Sequence, residues 1–222
     1  MPAGGNPFFR IALSSLLLLL TAGMLCARQM PEKGEDLFSI SPIPQEVIQR
    51  MAGVSYPDNA LVPLEDLRYL TIPYIDFSGE ERLGEMVCNK LIAKDLVDIF
   101  RELYRARYRI ASIRLVDDFQ ADDDRSMAAN NTSCFNYRAA LHSKKLSAHA
   151  RGLAVDVNPL QNPYVKGGEV RPAGGRRYAD RKRNFAHKIT RDDLCCKLFI
   201  SRGFTWGGSW RSLKDYQHFE KK

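Results

Sequence analysis

The alternation of apolar and polar residues predicts one long helix in the first half of the chain. Ser-Gly-Glu-Glu at residues 78–81 resembles a capping box, and the apolar residues after it recur at helical spacing. We therefore expect residues 78–103 to form the main core helix. Its inward positions are Leu83, Met86, Val87, Leu91, Ile92, Leu96, Val97, Phe100 and Leu103.

Shorter elements follow this helix. Residues 110–116 alternate as a strand, with Ile113 and Leu115 on one face. After a Thr-Arg-Asp-Asp capping sequence, a short helix is predicted with Leu194, Leu198 and Phe199 inward, followed by an extended segment from Phe204 to Trp206. The long connection before this helix, rich in Gly, Pro and Arg, predicts no element.

Residues 153–157 show the clearest strand pattern. Leu153, Val155 and Val157 alternate with Ala154 and Asp156, which gives the strand one apolar face. Asp156 belongs to the other face, beside the small Ala154. A carboxylate in so apolar a strand is costly to bury unless it meets a cation or a metal.

A histidine near this strand suggests which metal. His149 precedes Asp156, and Gly152 between them allows the chain to turn so that the two side chains can meet. Zinc accepts nitrogen from His and oxygen from Asp, and a catalytic site needs a third protein ligand. Of the four histidines in the chain, His218 is the best candidate, because a second carboxylate, Asp215, precedes it. His142 and His187 are expected on the surface.

Two motifs in this order resemble the M15 family of zinc peptidases. The first is Ser-x-His-x-x-Gly-x-Ala-x-Asp at residues 147–156, and the second is Trp-Gly-Gly-x-Trp followed by Asp-x-x-His-Phe-Glu at residues 206–220. The family includes D-alanyl-D-alanine carboxypeptidases and the L-alanyl-D-glutamate endopeptidases of phage lysins. The resemblance covers about residues 110–220. The chain has no His-Glu-x-x-His sequence, so a helical zincin site is not expected.

The resemblance implies roles for individual residues. His149, Asp156 and His218 would be ligands of Zn²⁺, and Asp215 would be the catalytic carboxylate. Arg138 resembles the family arginine that faces substrate. Glu220, two residues after His218, would either orient that ligand or compete with Asp215 as base. Trp206 and Trp210 are expected in the core or in the pocket wall.

The resemblance also implies a fold and an activity. The fold would be α+β, with a small antiparallel sheet bearing the zinc ligands and helices packed on one side. This is the fold type shared by Hedgehog domains and D-alanyl-D-alanine peptidases. The activity would be zinc-dependent hydrolysis of peptidoglycan stem peptides, with D-alanyl-D-alanine carboxypeptidase as the leading expectation. Cleavage between L-Ala and D-Glu, and a zinc-stabilised wall-binding module without turnover, stay open as alternatives. Asp215 counts against the module, because a structural site needs no base.

The N-terminus predicts export. Arg10 precedes an apolar run over residues 11–25, which is typical of a signal peptide, and cleavage after Ala27 fits. Cys26 leaves a lipoprotein open, and the length of the run leaves an uncleaved membrane anchor open. Each version places the protein in the periplasm or cell envelope.

The remaining length predicts one domain. Residues 1–27 would be the signal or anchor, residues 28–60 an extended tether with four prolines, and residues 61–222 the peptidase domain, expected to be monomeric.

Charge is unevenly distributed along the chain. Residues 166–191 hold nine Lys or Arg against two acidic residues, an excess equal to the net charge of +7 of the whole chain. An exported protein rarely meets nucleic acid, so the expected partner is an anionic wall polymer or membrane surface, with a solvated loop as an equal alternative. Residues 117–124 hold five acidic residues, and here a solvated loop is expected ahead of a role in holding Arg138 or an amine of the ligand.

The cysteines agree with export. Four cysteines allow three pairings, and at least one disulfide is expected, with buried thiols as the alternative. Their spacing does not fit a zinc site. The four that follow residue 27 are Cys88, Cys134, Cys195 and Cys196.

Overall fold

The largest sheet of the fold is a three-stranded antiparallel sheet in the order β1-β2-β3. The computed structural model describes residue 1, residues 34–141 and residues 145–222. Strands β2 and β3 form a long hairpin, and the short strand β1 pairs along the outer edge of β2. The elements of this part are β1 (Ser39–Ser41), helix α1 (Gln45–Met51), β2 (Leu67–Ile75) and β3 (Glu81–Asn89).

Part of the segment predicted as a tether, residues 28–60, packs against this sheet. Strand β1 pairs with β2, and helix α1 buries Val47 and Met51 in a cluster that also contains Leu67 and Val87. The folded unit therefore begins upstream of residue 61. Residues 28–33 lie outside the described residues, as do residues 2–27 of the predicted export segment.

The predicted core helix begins later than expected. Helix α2 spans Lys90–Arg105, and the side chain of Asn89 accepts a hydrogen bond from the backbone N–H of Leu91 as its N-cap. The residues before it form β3 instead, where Met86 points into the main core and Val87 into the second cluster. An apolar run that is buried on both faces of a sheet lacks the alternation of a half-exposed strand, so its pattern resembles that of a helix. The Ser-Gly-Glu-Glu sequence belongs to the turn between β2 and β3.

Helix α2 covers one face of the sheet and joins it to the C-terminal half. Leu96, Leu103 and Phe100 are buried in the main core, and the ring of Phe100 meets that of Phe199 edge to face at 6.3 Å. Burial of these side chains is the main source of stability for this layer. The helix thereby fixes the first sheet relative to the segments that carry the site.

The middle of the chain contains little regular structure. The strand predicted over residues 110–116 is shorter in the structure, where β4 covers only Ser112–Ile113 and a 3-10 turn, Val116–Phe119, begins after two intervening residues. Helix α3 (Asp123–Ala128) follows, and β5 (Asn131–Thr132) pairs in parallel with β4.

The acidic segment, residues 117–124, is only in part the solvated loop that was expected, because Asp117 is buried while Asp118, Asp122 and Asp124 are exposed. Asp117 is buried and accepts a hydrogen bond from the backbone N–H of Ser55 at 3.2 Å. Asp118 pairs with Arg50 at 2.9 Å. Both of these carboxylates have partners that are distant in sequence, so the charge of the segment alone did not reveal its packing.

Two small antiparallel sheets make up the C-terminal half, in the orders β6-β11-β9 and β10-β7-β8. The first carries two of the predicted metal ligands, and the second carries Asp215. The connection before the last helix, predicted to lack elements, contains the β7-β8 hairpin. The elements are β6 (Ala154–Asp156), β7 (Tyr164–Lys166), β8 (Glu169–Arg171), α4 (Leu194–Ser201), β9 (Thr205–Trp206), β10 (Lys214–Asp215) and β11 (His218–Glu220).

The predicted short helix is confirmed as α4. The side chain of Asp193 caps it by accepting a hydrogen bond from the N–H of Cys195 at 2.9 Å, and Leu198 and Phe199 are buried as expected. Leu194 was expected to point inward, but at the first position of the helix it is 38% exposed. The extended segment after the helix is confirmed as β9. None of the helices in the described part of the chain is long and apolar enough to cross a membrane.

The expectation of a disulfide is wrong. All four described cysteines are free and buried, and burial raises the pKa of the Cys196 thiol to about 11. They behave as small apolar side chains in the core, which was the alternative interpretation.

Candidate metal centre

His149 is held by a short 3-10 turn. The hydroxyl of Ser147 accepts a hydrogen bond from the N–H of Ala150 at 3.0 Å, and Gly152 ends the turn at a φ of 66°. The carbonyl of Gly152 accepts from the N–H of Asn89 at 2.9 Å, and a Cβ at position 152 would lie 2.7 Å from that nitrogen. Only glycine therefore allows the turn to approach the end of β3 so closely. This contact fixes the position of the His149 imidazole relative to β3.

Asp156 and His218 are brought together by strand pairing. They lie directly opposite each other in the β6-β11 pair, so their side chains share one face. Nδ1 of His218 lies 3.0 Å from Oδ1 of Asp156, and Nε2 of His149 lies 3.3 Å from Oδ2 of the same carboxylate. All three side chains are buried, and one ligand atom from each lies within 4.8 Å of the others. The three predicted ligands thus form one cluster.

The hydrogen bonds behind the imidazoles determine which nitrogens face the cluster. Nδ1 of His149 donates to the carbonyl of Cys134 at 2.7 Å, and Nε2 of His218 donates to Oε2 of Glu220 at 3.4 Å. The lone pairs of neutral imidazoles are then on Nε2 of His149 and Nδ1 of His218, which face each other at 3.2 Å and both face Asp156. Three acceptor atoms at such separations require a positive charge between them.

This arrangement fits a divalent metal ion such as zinc. Two imidazole nitrogens and one carboxylate oxygen are ligands that zinc accepts, and three protein ligands leave a further position open. Carbonyl and carboxylate partners behind ligating histidines are the usual outer contacts of such sites. Two roles were left open for Glu220, to orient His218 or to compete with Asp215 as base. Its hydrogen bond with Nε2 of His218 supports the first role.

Without a metal, protons supply the positive charge. Burial opposes the charged form of His218, but Asp156 and Glu220 outweigh it and raise the pKa of His218 to about 10. Burial alone would raise the pKa of Asp156, whereas His149 and His218 hold it well below its usual range. Positive charge therefore lies next to the carboxylate of Asp156 both when a metal is bound and when protons take its place.

Asp215 lies beside the cluster without belonging to it. Burial is the main cause that raises the pKa of Asp215 to about 6, with a further contribution from the negative charge of Asp156 and opposition from His218. The amide of Gln217 donates to Oδ1 of Asp215 at 3.2 Å. Gly207 allows its close approach, since a Cβ there would lie 2.6 Å from the carbonyl oxygen of Asp215. A half-buried carboxylate whose pKa lies near neutrality is suited to proton transfer.

Arg138 lies in the wall of the same cleft, which has a volume of about 230 Å³ and also exposes the cluster and Asp215. Its Nη2 pairs with Oδ2 of Asp123 at 2.9 Å. Its Nε is buried and makes no hydrogen bond to any described residue. The second interpretation of the acidic segment, a role in holding Arg138, is therefore correct for Asp123.

Residues 141–221 match the family model described as D-alanyl-D-alanine carboxypeptidase, one of the M15 peptidases. This region is therefore similar to the M15 peptidases. No curated protein and no solved structure matches the chain significantly. The match includes all three members of the cluster and Asp215, whereas Arg138 lies just before it.

The two tryptophans of the second motif have different positions. Trp206 is buried in the main core, and its indole N–H donates to the carbonyl of Tyr216 at 2.9 Å. Trp210 lines the cleft, with its ring 5.3 Å from that of His218. Both positions agree with the predicted choice between core and pocket wall.

His187 takes no part in the cluster. Its ring stacks on that of Phe77 at 3.7 Å, and burial together with nearby Arg109 lowers its pKa. It is half-buried rather than a surface residue. His142 lies outside the described residues.

Sequence reasoning missed one wall of the cleft in the M15 region, the β7-β8 hairpin. Tyr164, Lys166 and Arg171 on this hairpin line the cleft. The signal was present as Val-Lys-Gly-Gly-Glu-Val at residues 165–170, because two glycines between alternating residues are typical of a tight hairpin turn. The surrounding basic and Pro-rich sequence obscured it.

Proposed function

We propose that the protein is a zinc-dependent peptidase that hydrolyses peptidoglycan stem peptides, with the terminal D-alanyl-D-alanine bond as the first candidate. The observation that carries this proposal is the pairing of a buried three-ligand cluster with Asp215, a separate carboxylate whose pKa is raised to about 6 in the same cleft. A purely structural zinc site is usually closed by four protein ligands and has no use for an adjacent base.

His149, Asp156 and His218 would hold the ion. Zinc, when bound, supplies Lewis-acid polarisation of the scissile carbonyl and activation of the attacking water. Glu220 and the carbonyl of Cys134 keep the two imidazoles in the tautomers that present their lone pairs to the cluster.

Asp215 is the proton carrier in this proposal. Its Oδ1 accepts a hydrogen bond from Gln217, so Oδ2 is the atom that takes the proton. Oδ2 removes a proton from water as the water oxygen attacks the peptide carbonyl carbon. When the C–N bond breaks, the same atom returns the proton to the leaving amine.

Arg138 is placed to bind negative charge. Asp123 occupies Nη2 at 2.9 Å and the carbonyl of Ala139 accepts from Nη1 at 3.4 Å, which leaves the second N–H of each of these groups for a ligand. A planar guanidinium suits either the carboxylate of a C-terminal D-Ala or the oxyanion that develops during attack. In the first role Arg138 would favour a carboxypeptidase, because the bound carboxylate then lies one residue from the scissile bond.

We further propose that the protein acts outside the cytoplasm, where its proposed substrate lies and where the predicted export segment at residues 1–27 would direct it. The basic segment, residues 166–191, is further proposed as a contact for anionic wall polymer or membrane surface. Arg181 would not contribute, since its guanidinium already donates to the carbonyls of Gln161 and Ile189.

The test is digestion of purified muropeptides by the metal-free protein with and without added zinc, followed by mass spectrometry. We expect zinc-dependent release of D-Ala, and loss of that release in Asp215→Ala. Asp58→Ala removes an exposed carboxylate distant in sequence from the cluster and serves as the control. Release of products cut between L-Ala and D-Glu would instead select the endopeptidase. Unchanged trimming after chelation or in Asp215→Ala would refute the mechanism, and retention on purified wall without products would favour a binding module.

A further inference from the structure

A row of cleft side chains runs across the sheet that carries the proposed base. In the order β10-β7-β8, Asp215 is opposite Tyr164, and Tyr164 is opposite Arg171. Residues directly opposite in antiparallel strands have side chains on the same face. Lys166, two positions after Tyr164, returns to that face. All four side chains line the cleft.

Arg171 is oriented by the acidic segment. Its Nε and Nη2 pair with the two carboxylate oxygens of Asp124 at 3.0 and 2.7 Å. The neighbouring Asp123 holds Arg138. Adjacent carboxylates at the start of α3 therefore fix two guanidiniums along the cleft.

Both cations on the hairpin retain donors for a ligand. The Nη1 group of Arg171 is not used by Asp124, and the side chain remains 23% exposed. Lys166 is exposed beside the Gly-Gly turn. The hairpin wall of the cleft thus presents a second set of cationic donors in addition to Arg138.

The position of these cations limits what they can bind. Two strand spacings of about 4.8 Å separate the backbones of Asp215 and Arg171 by roughly 10 Å. An extended peptide covers that distance in about three residues. A group held by Lys166 and Arg171 would therefore lie within about three residues of the bond that is cut.

We propose that Lys166 and Arg171 bind a second carboxylate of the substrate, the side-chain carboxylate of a diamino diacid at the third position of the stem peptide. This inference rests on the proposed function and names its substrate class. Diaminopimelate at that position carries a free carboxylate, which charge-assisted hydrogen bonds from the hairpin would stabilise. Lysine at that position has the same side-chain ammonium group but lacks this carboxylate, so it offers the two cations no negative charge to bind. The peptidase therefore selects diaminopimelate stems over lysine stems at either candidate bond.

The experiment uses three synthetic pentapeptide stems that differ only at the third residue: diaminopimelate, diaminopimelate amidated on its side-chain carboxylate, and lysine. With the zinc-loaded protein we expect kcat/KM to be about tenfold higher for the free carboxylate than for either of the others. Lys166→Gln and Arg171→Gln should each reduce this preference, mainly through KM for the free-carboxylate peptide. Lys166→Arg should retain the preference.

Lys182→Gln is the matched control, because it removes an exposed cation of the same basic segment that does not line the cleft. Equal cleavage of all three peptides by the wild type, or an unchanged preference in folded Lys166→Gln, would overturn the second carboxylate site while leaving the peptidase proposal intact. Failure of the wild type to cleave any of the three would overturn the proposed function itself and this inference with it.

Discussion

Gly207→Ala tests whether the position of Asp215 controls catalysis. Gly207 begins the 3-10 turn after β9 and does not have a positive φ, so alanine can adopt its backbone conformation. The added methyl group would instead meet Asp215, 2.6 Å from its carbonyl oxygen and 2.8 Å from its Cβ. The substitution therefore displaces the proposed base without changing its chemistry.

The size of the displacement follows from these distances. Ordinary contact begins at 3.4 Å, so the backbone of Asp215 must move away by about 0.8 Å. Misplacing a catalytic group by about 1 Å costs on the order of 100-fold in rate. We expect kcat to fall by about 30- to 100-fold, which corresponds to roughly 2 to 2.7 kcal/mol of transition-state stabilisation.

The assay compares kcat at saturating zinc with zinc affinity from competition by a chelator. The three atoms nearest to the new methyl group all belong to Asp215, so affinity should change far less than kcat. Gly174→Ala is the control, because its Cβ would meet only the flexible Leu160 side chain at 3.2 Å. A folded Gly207→Ala protein with wild-type kcat would refute the role of Asp215, and an equal loss of zinc affinity would show that the turn serves the ligands instead.

Three further predictions concern the surroundings of the cluster. Glu220→Gln should weaken zinc binding by about 10- to 100-fold in a chelator competition, because it removes the charged partner of His218. The kcat of the zinc-loaded protein should fall along an acidic limb with its midpoint below about 6, since Asp215 must be deprotonated to act as base and a bound dication lowers its pKa from the metal-free value of about 6; a pH profile of kcat that lacks an acidic limb would contradict this. Asp123→Asn should raise KM about tenfold with little change in kcat, because Arg138 loses the 2.9 Å ion pair that orients it; steady-state kinetics on a stem peptide separate the two constants.

Two of the three predicted metal ligands, His149 and Asp156, could be predicted from the sequence because their geometry depends on short-range features. Gly152 is required by the turn after His149, and the alternation around Asp156 fixes its face in β6. The pairing of Asp156 with His218 could not be derived from spacing, since 62 residues separate them. The resemblance of the two motifs to the family, taken together, predicted this pairing, which local sequence patterns could not.

The misplaced start of the core helix has a different cause. Met86 and Val87 are buried on opposite faces of β3, one in each core cluster, so the strand has no polar face to give it a period of two. Only the pairing of β3 with β2, which is a long-range contact, distinguishes it from the first turns of a helix.

The acidic segment and the hairpin were missed for a related reason. The partner of Asp124 is Arg171, 47 residues away, and the partner of Asp123 is Arg138. Each charge taken alone is typical of a solvated surface, because a local pattern contains no information about an ion pair formed by tertiary structure.

The three ligands come from parts of the chain that are tied to different layers. The turn of His149 is bonded to the end of β3, whereas Asp156 and His218 belong to paired strands of another sheet. An ion held by all three would act as a cross-link, and by mass action it would add about 2.7 kcal/mol to the free energy of unfolding at a concentration 100 times its Kd. Metal supply would then set the lifetime of the protein against proteolysis as well as its turnover.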